Sequence, residues 1–190
     1  MKKSLAKLVL SLLIVLASHQ LHAQAYKDSI QQQFLRYTLH LMNKEFAQSV
    51  DYINPDFFTI VPKAQMIKLI EQVYNSPEIE FVMDSPKIAS IEDKVSINNT
   101  YYTKLKYSNN LFIKYGELTT AAKDTALMMQ MLQQQFGRDQ VSYDPATLFY
   151  KIGVTKNVVA NSKDNQHWTF VVIEEKQKPI LEKFLPKQLL

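Results

Sequence analysis

Cysteine is absent from all 190 residues. Disulfides, zinc–thiolate sites, iron–sulfur clusters and thiol nucleophiles are therefore excluded, and packing alone must hold the chain together. Glycine is nearly absent too, occurring only at Gly116, Gly137 and Gly153. Neither of the phosphate-cradling loops G-x-x-x-x-G-K-[ST] and G-x-G-x-x-G can be built from three scattered glycines. Histidine is sparse, with His19, His22, His40 and His167 and no H-x-H or H-E-x-x-H spacing, so no metal-site signature exists. A G-x-S-x-G nucleophile elbow is missing, although counting residues leaves a Ser-His-Asp arrangement open. No apolar run approaches the roughly 20 residues that span a bilayer as a helix.

The longest apolar run has a different use. Lys2, Lys3 and Lys7 precede Leu8 to Ala17, ten residues without a charge, and small residues follow at Ala23 and Ala25. These are the three parts of a secretory signal peptide. Residues 1–23 are expected to be removed, with a second option of cleavage after Ala25. A single domain, 24–190, would remain, placed in the periplasm or outside the cell. No cysteine stands near the cleavage point, which excludes lipid attachment there, and no membrane span is expected in the mature chain. Charge supports the same division. The whole chain has 22 Lys+Arg against 18 Asp+Glu, and three of those lysines lie in residues 1–23 with no acid, leaving 19 against 18. A net charge near +1, with both signs interspersed, gives no nucleic-acid footprint.

Periodicity orders the rest. Ile30, Phe34, Tyr37 and Leu41 make one apolar stripe over 26–42, widened by Leu35, Thr38 and Met42. A short helix is expected over 45–53, stopped at Asn54-Pro55. A third helix starts near Pro62 and carries Met66, Ile67, Ile70, Val73 and Tyr74. From Glu78 the period changes to two. Strands are expected at 79–83, 86–91, 94–107 and 110–115, with turns at Glu92-Asp93 and Ser108-Asn109-Asn110. A helix follows over 119–136, with Leu127, Met128, Met131, Leu132 and Phe136 on its apolar side and Gly137 as its cap. Strands near 140–143, 147–160 (broken at Gly153 or Lys156-Asn157) and 167–174 precede a closing helix, 178–185. Helices segregated from an antiparallel meander give an α+β fold, with N-terminal helices packed on a curved sheet that has one buried and one wet face.

The run Asp51 to Asn75 (DYINPDFFTIVPKAQMIKLIEQVYN), the Tyr-rich strand after it and the ending HWTFVVIEE…ILEKFLPKQLL resemble uncharacterised exported proteins of Bacteroidota. The layout is similar to the cone-shaped fold of the nuclear-transport-factor-2-like and cystatin-like superfamily. That resemblance implies a cone of sheet around a possible cavity. It does not imply one activity, since the superfamily hosts isomerases, dehydratases, binding modules and inert partner domains. The helix at 119–136 is an insertion into that layout.

Several residues compete for a role. Tyr101 and Tyr107 share a face of the long strand and could line a pocket; the other reading is ordinary cross-strand aromatic packing. Glu78 with Glu80, and Asp51 with Asp56, are the paired carboxylates, which would need an apolar pocket to act as acids. Met128, Met129 and Met131 read either as core or as a soft partner surface. Asn98-Asn99-Thr100 is a sequon. Ser29 in Asp28-Ser29-Ile30, and Thr125 in Asp124-Thr125-Ala126, match the Asp-Ser/Thr-apolar pattern of O-glycosylation in exported Bacteroidota proteins. Trp168 and Phe170, alternating with His167 and Thr169, are expected to face the helices. No cofactor, metal or catalytic residue is assigned. The leading expectation is a non-catalytic binding or interaction module of the cell envelope, whose partner is an envelope protein or a small ligand. The alternatives are a small isomerase- or dehydratase-type enzyme using an acid and a Tyr, and a partner-dependent subunit.

Overall fold

The structure is a computed structural model and describes residues 24–116 and 124–190. The expected signal peptide and residues 119–123 of the inserted helix lie outside the described residues. The chain is helical across 24–42 (α1). There follow α2 (Phe46–Ser49), 3-10 turns at Val50–Tyr52 and Pro55–Thr59, and α3 (Lys63–Tyr74). Next come β1 (Ile79–Met83), β2 (Lys87–Ile91), β3 (Val95–Ile97) and β4 (Thr100–Tyr115). Then follow α4 (Thr125–Phe136), β5 (Val141–Asp144), β6 (Phe149–Ser162), β7 (Thr169–Ile173) and α5 (Lys178–Leu181). The fold is α+β, as expected: a seven-stranded antiparallel sheet with helices packed against it.

Two long strands make its spine. β4 and β6 pair from Tyr101↔Ser162 to Ile113↔Tyr150. The short strands β1, β2 and β3 line the outer edge of β4, and β5 and β7 line that of β6. The hairpin into β4 corrects the expected strand division. The turn is Asn98-Asn99, where both φ angles are positive, +49° and +59°. Asparagine tolerates that left-handed backbone, and two such residues make the tight hairpin turn that suits strand twist. Ser108-Asn109-Asn110, expected as a turn, lies inside β4 instead. Asp84 holds Asn110 there, accepting from its backbone N–H at 2.7 Å and its Nδ2 at 2.6 Å. β6 also runs unbroken through Gly153 and Lys156-Asn157, because thirteen consecutive pairings with β4 outweigh local propensity.

One face of the sheet takes α1 and α4. α1 lays Ile30 and Phe34 on Leu105, Tyr107, Val158, Trp168 and Phe170. Burying a side chain such as Phe34 contributes about 1.5–3 kcal/mol. Trp168 and Phe170 face the helices, as alternation requires, at 1% and 2% exposure. α4 covers the other half of the face, with Leu132, Met128, Met129 and Phe136 on Val141, Ile152 and Val154. The Asp124 side chain caps α4 by accepting from the Leu127 N–H at 2.9 Å. Gly137, at φ +101°, ends it. Leu127 and Met131, expected on the packed side, are exposed.

The opposite face is not wholly wet, which corrects a second expectation. Leu181, Leu185 and Leu189 of the C-terminal segment are buried on Val159 and Val171. Val158, Val159 and Ala160 are therefore consecutive buried residues, covered from both sides at this end of the sheet. Phe184 packs against the same cluster, while Ile180 is exposed.

Candidate functional site

The stripe on α1 is longer than the sheet half it covers. Ile30 and Phe34 are completely buried, but one and two turns further on Tyr37 and Leu41 reach past the β7 edge. There the chain turns back through α2 and the Asn54-Pro55 corner. The Asn54 side chain accepts from the Asp56 N–H at 2.9 Å, and the Asn54 N–H donates to the Phe170 carbonyl at 3.3 Å. This tie fixes Phe57 beside β7. α3 then crosses opposite, presenting Met66, Ile70 and Tyr74. The three walls do not close. They leave an open groove of about 340 Å³, lined also by Phe170, Val172 and Leu181.

The groove is mostly apolar. Its polar groups are the hydroxyls of Tyr37 and Tyr74 and the amide of Gln177, with no charged side chain in its lining. The Tyr74 hydroxyl is engaged, donating to Met83 Sδ at 3.3 Å, and its ring meets Phe81 edge-on at 5.0 Å. Burial pushes Tyr74 up to about 12. Tyr37 stacks on Phe170, with ring centroids 6.2 Å apart. Burial, with a smaller contribution from Tyr107, holds its hydroxyl far above the ordinary tyrosine range, so it is neutral at physiological pH. The hydroxyl makes no hydrogen bond among the described residues.

The residues singled out from sequence lie elsewhere. Tyr107 is buried in the core, 5.0 Å from the Phe34 ring, and burial raises it to about 12. Tyr101 stands six residues along β4, where the Lys94 ammonium sits 4.9 Å from its ring and 4.4 Å from that of Tyr26. Neither tyrosine borders the cavity. Ser29 is half-buried on α1, where its Oγ accepts from Gln33 Nε2 at 2.8 Å. Thr125 opens α4.

The acids are solvated. Glu78 and Glu80 are exposed, Glu80 being 3.7 Å from Lys114. Asp51 pairs with Lys63, and Asp56 is exposed. Each of the two described histidines has a carboxylate partner: His40 Nδ1 lies 2.5 Å from Glu45, and His167 Nδ1 lies 2.6 Å from Asp164. The latter pair is no triad. Ser162 Oγ donates to Asp164 itself at 3.0 Å, so aspartate sits between serine and histidine. Hydrogen bonds from His167, Gln166 and Ser162 hold the Asp164 carboxyl well below the usual range. Among the described residues no group of three acids or histidines could hold a metal ion, and no helix is long and apolar enough to cross a membrane.

A larger depression of about 590 Å³ opens beside β1, lined by Lys44, Glu80 and Lys114 among others. Its charges are ion-paired at Glu80 and Lys114, and it offers no desolvated acid or base. Sequence reading placed Tyr37, Leu41, Met66, Ile70 and Tyr74 on apolar stripes but did not bring them together. The available signal was that the α1 stripe continues past Phe34 while the α3 stripe has no evident partner. Comparison of the chain with protein-family models, curated proteins and solved structures finds no match in any of the three.

Proposed function

We propose that this chain is a non-catalytic binding module of the cell envelope, with its binding site at the cavity between α1, α3 and the β7 edge. The carrying observation is that the helix-covered face of the sheet, where a cone-shaped enzyme would hold its acid and substrate, is filled by Ile30, Phe34, Leu105, Tyr107, Trp168 and Phe170. An acid–base mechanism needs a desolvated acid or base within reach of the reacting atom. The carboxylates considered above are instead exposed or paired with lysine or histidine. The groove between α1, α3 and the β7 edge is mostly apolar with no charged side chain in its lining, which suits holding a molecule rather than changing it. Export rests on the signal read at residues 1–23, and the kinship with cystatin-like folds rests on layout.

The test is retention without conversion. The purified protein is incubated with an apolar small-molecule extract of cells, separated by gel filtration and denatured, and the released compound is identified by mass spectrometry. Near-stoichiometric recovery of an unchanged compound supports the reading. Progressive conversion of that compound by trace amounts of protein contradicts it.

A further inference from the structure

α3 presents a physical anomaly. It carries an apolar side of Met66, Ile70 and Tyr74, yet none of its twelve residues is fully buried. A twelve-residue helix is marginal on its own in water and depends on packing its apolar face. The surface that should receive this face, formed by Tyr37, Leu41, Phe170 and Val172, stands across the 340 Å³ cavity. That space is about ten times the volume one water occupies in the liquid, and it falls within the range of small-molecule pockets.

The lining limits what can enter. A charged group seated between the walls would lose hydration and meet no counter-charge there, which is unfavourable. An apolar body would bury itself against both walls. One donor–acceptor is available: the hydroxyl of the half-buried Tyr37, which lines the groove and has no hydrogen-bond partner among the described residues. A ligand group that replaces water on an accessible hydroxyl keeps its hydrogen bond. Tyr74 does not compete for the same role, because Met83 engages it. We infer that the cavity binds a neutral, largely apolar small molecule that carries one hydrogen-bonding group, with that group on Tyr37 Oη and its apolar body between α3 and the β7 edge. The inference rests on the binding-module reading and adds the site's ligand class to it.

The neutral fluorophore N-phenyl-1-naphthylamine is titrated into the purified protein, then displaced by octan-1-ol or by octanoate. The inference expects saturable binding of one probe per chain. Octan-1-ol should displace it at least about tenfold more effectively than octanoate, because only the carboxylate must be desolvated uncompensated. Tyr37→Phe should weaken octan-1-ol by about three- to tenfold through the lost hydrogen bond. Ile70→Trp and Met66→Trp fill the cavity and should abolish saturable binding. Ile70 and Met66 are incompletely buried, so both variants should keep the parent melting transition, and either one that does so serves. Octanoate matching octan-1-ol overturns the ligand class. Binding that survives both tryptophan variants overturns the site. Absence of saturable binding overturns the inference as a whole. All three leave the broader reading to the retention experiment, which fails on a different result, conversion of the bound compound.

Discussion

Replacing Trp168 by alanine removes the largest completely buried side chain in the described core. The ring lies 6.4 Å from Tyr26 and shares a cluster with Ile30, Phe34 and Phe170. Truncating a buried tryptophan costs about 3–5 kcal/mol. Typical domains are held by only about 5–15 kcal/mol, and this chain has no disulfide to compensate. At about 2–4 °C per kcal/mol for a chain of this size, the melting temperature should fall by about 6–20 °C. The indole N–H adds a second contribution, because it is buried with no partner among the described residues. Trp168→Phe removes that unpaired donor, recovering about 1–3 kcal/mol, and leaves a much smaller void than alanine does. The phenylalanine variant should therefore lose far less stability than the alanine variant. Calorimetry of the two variants checks this. Trp168 is the single tryptophan, so its emission should also be blue-shifted and resist acrylamide quenching. Red, easily quenched emission, or an alanine variant that melts with the parent, would refute the assignment of Trp168 to the core.

Asn109 is 7% exposed and neither atom of its side-chain amide has a partner among the described residues; Asn109→Leu should be neutral or stabilising by about 1–2 kcal/mol in urea unfolding, and a clear loss would mean the amide is satisfied by buried water. Tyr74 and Tyr107 are both raised to about 12 from 10.0. The native state thus keeps protons that the unfolded state releases, and stability should fall as pH rises from about 10 to 12; tyrosinate absorbance appearing with unfolding rather than before it checks this, and full ionisation of folded protein near pH 10 contradicts it. Gly137→Ala places a Cβ at φ +101° and should cost about 1–3 kcal/mol, read as a lower urea midpoint with unchanged slope. Mass spectrometry of the protein from its native host should find the N-terminus at Gln24 or Tyr26; recovery of intact Met1 in a membrane fraction contradicts the export reading.

Much of the fold was legible because burial imposes a period. The change from a 3.6-residue to a 2-residue repeat at Glu78 marks the start of the sheet, and the alternation around Trp168 gives its face correctly. The turns were harder. Asn98-Asn99 and Asn109-Asn110 offer the same local chemistry, and only the long pairing with β6 makes the second a strand. The buried outer face was visible only as the run Val158-Val159-Ala160, which alternation alone does not explain. The candidate site was legible in pieces. Stripes on α1 and α3 say which faces are apolar, and Asn54-Pro55 says where the chain turns. Nothing in a periodicity says how far apart two apolar faces stand, and here that distance is the site. Tyr101 and Tyr107 illustrate the same limit: a shared strand face put one ring in the core and the other under a lysine.

The most direct test of the account is to map where an apolar neutral ligand lands. In two-dimensional NMR of the isotope-labelled protein, added octan-1-ol should shift signals of Tyr37, Leu41, Ile70, Phe170, Val172 and Leu181 together, saturating with one affinity. Shifts centred on Tyr101 or on the depression beside Lys44 and Lys114, or no saturable shifts at all, would contradict a binding site between α1, α3 and the β7 edge.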